Sequence, residues 1–192
     1  MKGEHSPTPN QPNERPELEP KIYVASLSDY NNGHLHGDWL DAARNPDDLS
    51  EDIDAMLATS RQPDAEEWAI HDYEGFGVFR LGEYEDLGMV AMIAAGIAEH
   101  GRPFSHWANL VGTQDNERLC RFEDHYRGSW NSMADYAEDF LDDMGVNIES
   151  FTPGWLRSYV SIDYLTLGND LSADLETADD PDGTVHVFES EL

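Results

Sequence analysis

The sequence predicts a mixed α+β protein built from several small regions, and three observations support this prediction. Apolar residues make up 39% of the 192 residues, which is typical of a folded chain with a hydrophobic core. Short segments in the first and last thirds of the chain alternate apolar and polar residues, as half-buried strands do. The middle third is rich in Ala, Met and Ile and is interrupted by Gly and Pro, which favours short packed helices.

Residues 1–20 are Pro-rich and polar, and they are predicted to form a disordered tail. They lack the apolar segment of a signal peptide. The most apolar run of the chain begins at Gly88 and ends after about ten residues, whereas a membrane-spanning helix needs about twenty. The single cysteine, Cys120, excludes an internal disulfide. Together these features predict a cytoplasmic protein.

Residues 21–83 are predicted to form a small N-terminal α+β domain. Two strands of a hairpin are expected over 21–27 and 34–41, on either side of a turn-rich sequence. A helix is predicted over 49–61, with Ser50 as its N-cap and apolar residues at helical spacing. Two further short strands are expected in the sequences EEWAIHDY and GVFRLG.

Residues 84–121 are predicted to form a central domain of two or three short helices. The sequences GRP, from Gly101, and GT, from Gly112, are the expected breaks between these helices.

Residues 122–192 are predicted to form a C-terminal α+β domain. A short strand is expected at its start, in the sequence FEDHYRG. A helix is expected from Pro153, with Thr152 as its cap. A β-hairpin with its turn at Asp182 and Gly183 is predicted to end the domain.

The sequence SMADYAEDFLDDMG, residues 132–145, predicts a complete helix. Ser132 is the expected N-cap, Gly145 is the expected C-terminal glycine, and an apolar stripe lies between them. The helix contains five acids and no Lys or Arg. Like charges four residues apart destabilise a helix by about 0.2–0.5 kcal/mol per pair. Helix stability therefore does not explain these acids.

Acidic clusters recur on segments that are predicted to be ordered, and they give the chain a net charge of −29. A field of this sign repels nucleic acid and anionic membranes and attracts basic surfaces. The charge equals that of roughly 49 Å of DNA duplex. The candidate binding surface therefore consists of acids: Asp47, Asp48, Glu51, Asp52, Asp54, Asp64, Glu66, Glu67, Glu85, Asp86, Asp135, Glu138, Asp139, Asp142, Asp143, Asp174 and Glu176.

The sequence contains no convincing pattern of catalytic or metal-binding residues, so neither an enzymatic activity nor a cofactor or metal is predicted. His34 and His36 lie on one side of a predicted strand, with Asp38 next on that side, but a further ligand is missing. The sequence ADDPDGTVHVFE lacks an acid at the first position of a calcium loop. Cys120 lies in a segment typical of a helix end or a core position and is not predicted to be a nucleophile.

Four stretches of the sequence, in order along the chain, resemble the ArdA family of antirestriction proteins. They are IYVASLSDYNNGHLHGDWLD from Ile22, AIHDYEG from Ala69, FEDHYRGSWNSMADYAEDFLDDMG from Phe122 and SIDYLTLGNDL from Ser161. The last stretch resembles the antirestriction motif of the family, except that Asn169 stands where family members usually have Arg.

This resemblance implies an elongated three-domain protein without catalytic activity that mimics bent B-form DNA. It implies that surface carboxylates bind in the DNA-binding groove of type I restriction–modification enzymes, formed by their specificity and methyltransferase subunits, and block restriction and often methylation. It also implies a homodimer formed by the C-terminal domain, and no binding to nucleic acid or membranes. The residues assigned by resemblance to the antirestriction motif and the dimer interface are Trp155, Tyr159, Asp163, Tyr164, Gly168, Asp170 and Leu171.

Two other interpretations of the acidity remain open at the level of sequence. A salt-adapted globular protein would also be rich in acids and poor in lysine, and Lys2 and Lys21 are the lysines here. An acidic interaction domain that binds other basic proteins would show the same clusters.

Overall fold

The computed structural model describes residues 18–63 and 65–190. Helices and short antiparallel strands make up these residues, which confirms the predicted mixed α+β class. The chain divides into two compact units, Met1–Ser105 and His106–Leu192. This division does not confirm the three predicted domains, which stay a prediction.

Most of the predicted tail, residues 1–17, lies outside the described residues. The end of the tail is ordered: Pro20 is buried, and its carbonyl accepts a hydrogen bond from the backbone N–H of Ala42 at 2.9 Å.

The first unit contains a three-stranded antiparallel sheet in the order β2-β1-β3. Its strands are β1 (Lys21–Ser26), β2 (Gly37–Asp41) and β3 (Trp68–Glu74). Ile22 and Val24 of β1 are buried, as the alternating pattern predicts. The predicted strands around positions 21, 37 and 68 are therefore confirmed. The turn predicted between β1 and β2 contains a short helix, α1 (Leu27–Asn31).

Helix α2 (Pro46–Ala58) begins four residues before the predicted cap. The side chain of Asn45 accepts a hydrogen bond from the backbone N–H of Asp47 at 2.9 Å, so Asn45 is the N-cap. Pro46 suits the first helical position because its missing N–H would have no partner there. The prediction of Ser50 as the cap was wrong for this reason.

The strand predicted over GVFRLG is absent from the described residues, and turns and loop take its place. Gly77 has a φ of 60°, which interrupts an extended strand. The hydroxyl of Ser105 holds the turn: it donates to the carbonyl of Phe76 at 2.7 Å and accepts from the backbone N–H of Val78 at 2.8 Å.

The predicted central helices are confirmed. They are α3 (Leu87–His100), α4 (Arg102–Val111) and the single turn α5 (Asn116–Leu119), and a further single turn, α6 (Phe122–His125), follows them. Gly101, with a φ of 69°, ends α3 at the predicted break. The strand predicted from Phe122 was wrong in its first half, which forms α6. No helix among the described residues is long and apolar enough to cross a membrane.

The second unit contains a three-stranded antiparallel sheet in the order β4-β6-β5. The strands are β4 (Tyr126–Trp130), β5 (Leu175–Asp179) and β6 (Val185–Glu189). Strands β5 and β6 form the predicted final hairpin, and Gly183 in its turn has a φ of 89°.

Besides α5, α6 and the end of α4, the second unit contains α7 (Met133–Asp143), α8 (Ile148–Phe151) and α9 (Tyr164–Leu171). The helix predicted from Pro153 was wrong, because the carbonyl of Pro153 accepts from the backbone N–H of Leu156 at 2.8 Å in a turn. Helix α9 begins later, where Asp163 is the N-cap. The core of this unit includes Tyr136 of α7 and Val187 of β6.

Candidate functional site

Helix α7 holds a row of carboxylates in fixed positions. Its N-cap is Ser132, whose hydroxyl accepts from the backbone N–H of Asp135 at 3.1 Å, and Gly145 follows its end with a φ of 68°. Tyr136 and Ala137 are buried, which confirms the predicted apolar stripe. Met144, expected at the end of that stripe, is exposed instead. The caps and the stripe therefore fix the helix without any contribution from its acids.

Four of the five acids of α7 are exposed, and Asp135 is half-buried. The indole N–H of Trp130 donates a hydrogen bond to the carboxylate of Asp139 at 2.6 Å, so this acid also has a role within the fold. The exposed acids are Glu138, Asp139, Asp142 and Asp143.

Helix α2 has a second row of carboxylates. Leu49 and Ile53 are buried and anchor the helix to the first unit. Asp52 pairs with Arg44 at 2.7 Å, so its charge is largely compensated. The exposed acids of α2 are Asp47, Asp48, Glu51 and Asp54.

The remaining predicted acids have different surroundings. Asp64 lies outside the described residues. Asp86 is the N-cap of α3 and accepts from the backbone N–H of Met89 at 3.1 Å. Glu85 is half-buried. Glu66 and Glu67 are exposed in a loop, and Asp174 is exposed at the end of a short 3-10 helix.

Glu176 is the clearest case of a predicted surface acid with an internal partner. Both of its carboxylate oxygens lie 2.8 Å from Nη2 of Arg118, and both side chains are mostly buried. The guanidinium of Arg118 also lies over the ring of Trp107, 5.1 Å from its centroid. Glu176 is thus a partner of Arg118 in the fold and not a free surface charge.

Several basic side chains of the described residues pair with carboxylates. Arg127 pairs with Glu189 across the strands β4 and β6, and Lys21 lies 3.2 Å from Glu19. The positive charge of these side chains is therefore neutralised locally, while the exposed carboxylates of α2 and α7 keep their negative charge. The bases with such pairs are Lys21, Arg44, Arg118, Arg121, Arg127 and Arg157.

The residues of the resemblance motif have structural positions in α9. Asp163 caps the helix by accepting from the backbone N–H and the hydroxyl of Thr166, at 3.0 and 2.9 Å. These hydrogen bonds hold the pKa of Asp163 below its ordinary value. Leu171 packs against the core of the second unit, whereas Asn169 and Asp170 are exposed and Tyr164 is half-buried.

Gly168 of α9 packs against the backbone of α7. A Cβ atom at this position would lie 2.4 Å from the carbonyl oxygen of Met133 and 3.1 Å from the backbone nitrogen of Ala134. These are main-chain atoms, so a side-chain rotation cannot relieve the clash. Only glycine fits here without a shift of one helix.

Large apolar side chains are exposed between α8 and α9. Trp155 is 76% exposed and Tyr159 is 80% exposed. Phe151 and Leu165 on the flanking helices are also mostly exposed. Exposed apolar groups close together in the chain are typical of a protein–protein interface.

The structure brings together His106, Asp180 and His186, which the sequence did not indicate as one site. His106 lies 74 positions from Asp180, and no spacing rule connects them. Burial alone would raise the pKa of the Asp180 carboxyl, but the hydrogen bonds and charge of the two histidines outweigh it and leave the pKa below its ordinary value.

The histidines that the sequence did indicate are not brought into a comparable cluster among the described residues. His34 is exposed. Nε2 of His36 lies 2.8 Å from the carbonyl of Met56, at the end of α2. Cys120 is exposed at the C-cap of α5, in agreement with the expected helix end.

Comparison with known proteins agrees with the resemblance. No curated protein matches the chain. The sequence model described as "Antirestriction protein (ArdA)" matches residues 22–185, which extend from the second residue of β1 to the first residue of β6. The chain therefore belongs to the ArdA family of antirestriction proteins.

Proposed function

We propose that the protein is a DNA mimic that occupies the DNA-binding groove of type I restriction–modification enzymes. Membership of the ArdA family supports inhibition of restriction enzymes in general. The observation that supports the mechanism is the distribution of charge on ordered elements. Carboxylates are exposed in rows on α2 and α7, while several bases, such as Arg44, Arg118 and Arg127, are paired within the fold.

Binding of these carboxylates to a basic groove follows the physics of DNA binding. Each ion pair with a Lys or Arg of the enzyme replaces a phosphate contact and releases counterions, so affinity falls as salt rises. DNA and the inhibitor compete for the same groove, in the specificity and methyltransferase subunits. Methylation is then blocked together with restriction, and no catalytic group of the inhibitor takes part.

A cleavage assay with a purified type I enzyme tests this proposal. The inhibitor concentration needed for half inhibition should rise with DNA concentration, because the two compete. It should also rise steeply with salt. Inhibition that is independent of DNA concentration would contradict occupation of the groove.

A matched pair of triple variants tests whether the positions of the acids matter. The first variant, Glu138→Gln, Asp142→Asn and Asp143→Asn, neutralises exposed acids of α7 and leaves Ser132 and the Trp130–Asp139 hydrogen bond in place. The control variant, Glu99→Gln, Glu117→Gln and Glu123→Gln, removes the same charge from exposed acids elsewhere.

The α7 variant should inhibit more weakly and with a shallower salt dependence than the control variant. Equal loss in the two variants would show that only net charge matters, as in a generic acidic interaction domain. Full inhibition by the α7 variant would remove this helix from the binding surface.

We further propose that the protein is a homodimer formed through the exposed apolar residues between α8 and α9. Burying Trp155 and Tyr159 against a second copy would remove a large apolar area from water. The pair Trp155→Ser and Tyr159→Ser should therefore produce a monomer in sedimentation velocity. Tyr84→Ser, which removes an exposed tyrosine from the first unit, is the control and should leave the dimer intact.

A further inference from the structure

Three potential metal ligands meet inside the second unit. His106 lies on α4, Asp180 follows β5 and His186 lies on β6, and they are 6%, 4% and 1% exposed. One ligand atom from each residue lies within 4.8 Å of the others. Burial of two imidazoles and a carboxylate together is costly unless each finds a favourable partner.

The two distances from histidine nitrogens to Asp180 are close to those between ligand atoms around a tetrahedral metal ion. Nε2 of His106 lies 2.8 Å from Oδ1 of Asp180, and Nε2 of His186 lies 3.4 Å from Oδ2 of Asp180. Bonds of about 2.0–2.1 Å to zinc place tetrahedral ligand atoms about 3.3 Å apart. Shifts of about half an ångström at the Asp180 carboxylate would bring these two pairs to that spacing.

A further shell of hydrogen bonds orients the His186 ring. Nδ1 of His186 lies 2.8 Å from the hydroxyl of Ser129, and that hydroxyl lies 2.6 Å from the hydroxyl of Tyr126. Histidines that bind metals almost always use their other ring nitrogen in this way, which fixes the tautomer and directs the ligand nitrogen. Here the nitrogen so directed is Nε2, which faces Asp180.

The position of Asp180 is fixed by the hairpin turn. Its backbone N–H donates to the carbonyl of Thr184 at 2.8 Å, and its carbonyl accepts from the backbone N–H of Gly183 at 2.9 Å. The carboxylate is thereby placed by main-chain contacts and not by a flexible loop. A rigid ligand of this kind lowers the entropy cost of binding an ion.

We propose that His106, Asp180 and His186 form a binding site for a divalent transition metal ion, with Zn²⁺ as the ion that fits best. Two imidazoles and one carboxylate are a zinc ligand set, whereas Ca²⁺ and Mg²⁺ require mainly oxygen ligands. The net charge of −29 favours any cation, but only the histidines favour zinc over the hard cations. The ion would connect α4 to the β5–β6 hairpin.

Because the three side chains are buried, the ion is expected to bind while the protein folds and not afterwards. A closed site exchanges its ion slowly, and metal binding is then coupled to folding. The protein should therefore be refolded from urea with and without Zn²⁺, in excess Mg²⁺ so that surface carboxylates are occupied. The refolded full-length chain is then passed over a desalting column and its zinc content is measured.

The proposal predicts stoichiometric zinc in the refolded wild-type protein and a higher melting temperature than in the zinc-free protein. X-ray absorption should show nitrogen and oxygen ligands at about 2.0–2.1 Å with imidazole scattering. Absence of stoichiometric zinc after refolding would overturn the proposal and leave the three residues as a hydrogen-bonded cluster. These measurements need no variant.

Variants then locate the ion. His186→Gln should abolish zinc retention, while the matched change His34→Gln at an exposed histidine should not. Ser129→Ala, which removes the partner of Nδ1 together with the hydrogen bond to Tyr126 but leaves the three ligands in place, should weaken zinc affinity by about 10–100-fold. Equal loss of zinc in His34→Gln and His186→Gln would overturn the assignment. If His186→Gln does not fold, Ser129→Ala and the wild-type spectrum still decide the matter.

Discussion

At the scale of single residues, Gly168 shows that a motif residue can act through packing. It lies against the backbone of Met133 and Ala134, where a methyl group has no room. The resemblance alone assigned this glycine to the antirestriction motif or the dimer interface. Its position in the structure supports a role in the contact between α7 and α9, which keeps the acidic helix in place.

Gly168→Ala should destabilise the protein by about 1–3 kcal/mol, because one helix must shift to admit the Cβ atom. Urea unfolding of the purified variant measures this loss. Gly154→Ala is the control, since a Cβ atom there meets nothing within 4 Å, and it should leave stability unchanged or slightly raised. Equal stability of the two variants would contradict the packing role.

Asp163 is both a helix cap and a charge, and two substitutions separate these roles. Asp163→Asn keeps an N-cap side chain and removes the charge, whereas Asp163→Ala removes both. We expect the Ala variant to melt at a lower temperature and the Asn variant to resemble the wild type in stability and inhibition. If the Asn variant loses inhibition while remaining folded, the charge of Asp163 takes part in binding.

The pKa of Asp163 gives this comparison a pH dependence. The folded-state pKa is lowered by the hydrogen bonds from Thr166, so the carboxylate stabilises the fold above its ordinary pKa of about 3.9. This stability is lost as the pH falls through the lowered folded-state value. The difference in urea midpoint between wild type and Asp163→Ala should therefore be largest near neutral pH and narrow below about pH 4.

At the scale of elements, α7 has negative charges in its last turn, where they destabilise a helix most. Asp142 and Asp143 are exposed in its last turn, at the negative end of the helix dipole. Lys at these positions should stabilise the helix by about 0.3–1 kcal/mol each. It would also form favourable pairs with Glu138 and Asp139, four residues before.

The variant Asp142→Lys and Asp143→Lys should therefore unfold at higher urea concentration than the wild type and inhibit restriction less well. Urea unfolding and the cleavage assay on the same preparation measure the two effects. A variant that gains stability and keeps full inhibition would show that these acids do not serve binding.

The elements also show what the sequence can predict. Helix α7 was predicted with its cap because Ser132 and Gly145 frame one apolar stripe. Helix α2 was predicted with the wrong cap, since Ser50 and Asn45 are both good caps and local sequence does not choose between them. The strand in GVFRLG failed because Ser105, far along the chain, holds a turn there.

The parts of the candidate site that depend on local periodicity could be predicted from the sequence, and the parts that depend on tertiary contacts could not. Exposed acids on an amphipathic helix follow from periodicity, so the rows on α2 and α7 were found. The pairing of Glu176 with Arg118 and the cluster around Asp180 depend on tertiary contacts between distant segments. No local pattern encodes those contacts, and the sequence therefore did not reveal them.

At the scale of the whole molecule, the balance of charge separates DNA mimicry from adaptation to high salt. A salt-adapted protein loses structure when salt is removed, because its acids then repel one another. The chain described here pairs bases with acids inside each unit, as Arg44 with Asp52 and Arg118 with Glu176. We expect it to remain folded in low-salt buffer, with a moderately lower melting temperature.

Circular dichroism, recorded while the protein is diluted from high to low salt, measures whether it remains folded. The triple neutral variant of α7 is the control, and its melting temperature should depend less on salt because fewer charges repel. Unfolding of the wild type in low-salt buffer would support salt adaptation over DNA mimicry.

The contact of Gly168 with main-chain atoms also has an evolutionary consequence. Backbone atoms are the same whatever side chain a residue has, so this contact holds α7 without requiring particular residues at Met133 or Ala134. The outer face of the helix is then free to change. Under the proposed function, acids on that face other than Asp139, which accepts a hydrogen bond from Trp130, can be exchanged as the enzymes that they bind change, and the fold need not change with them.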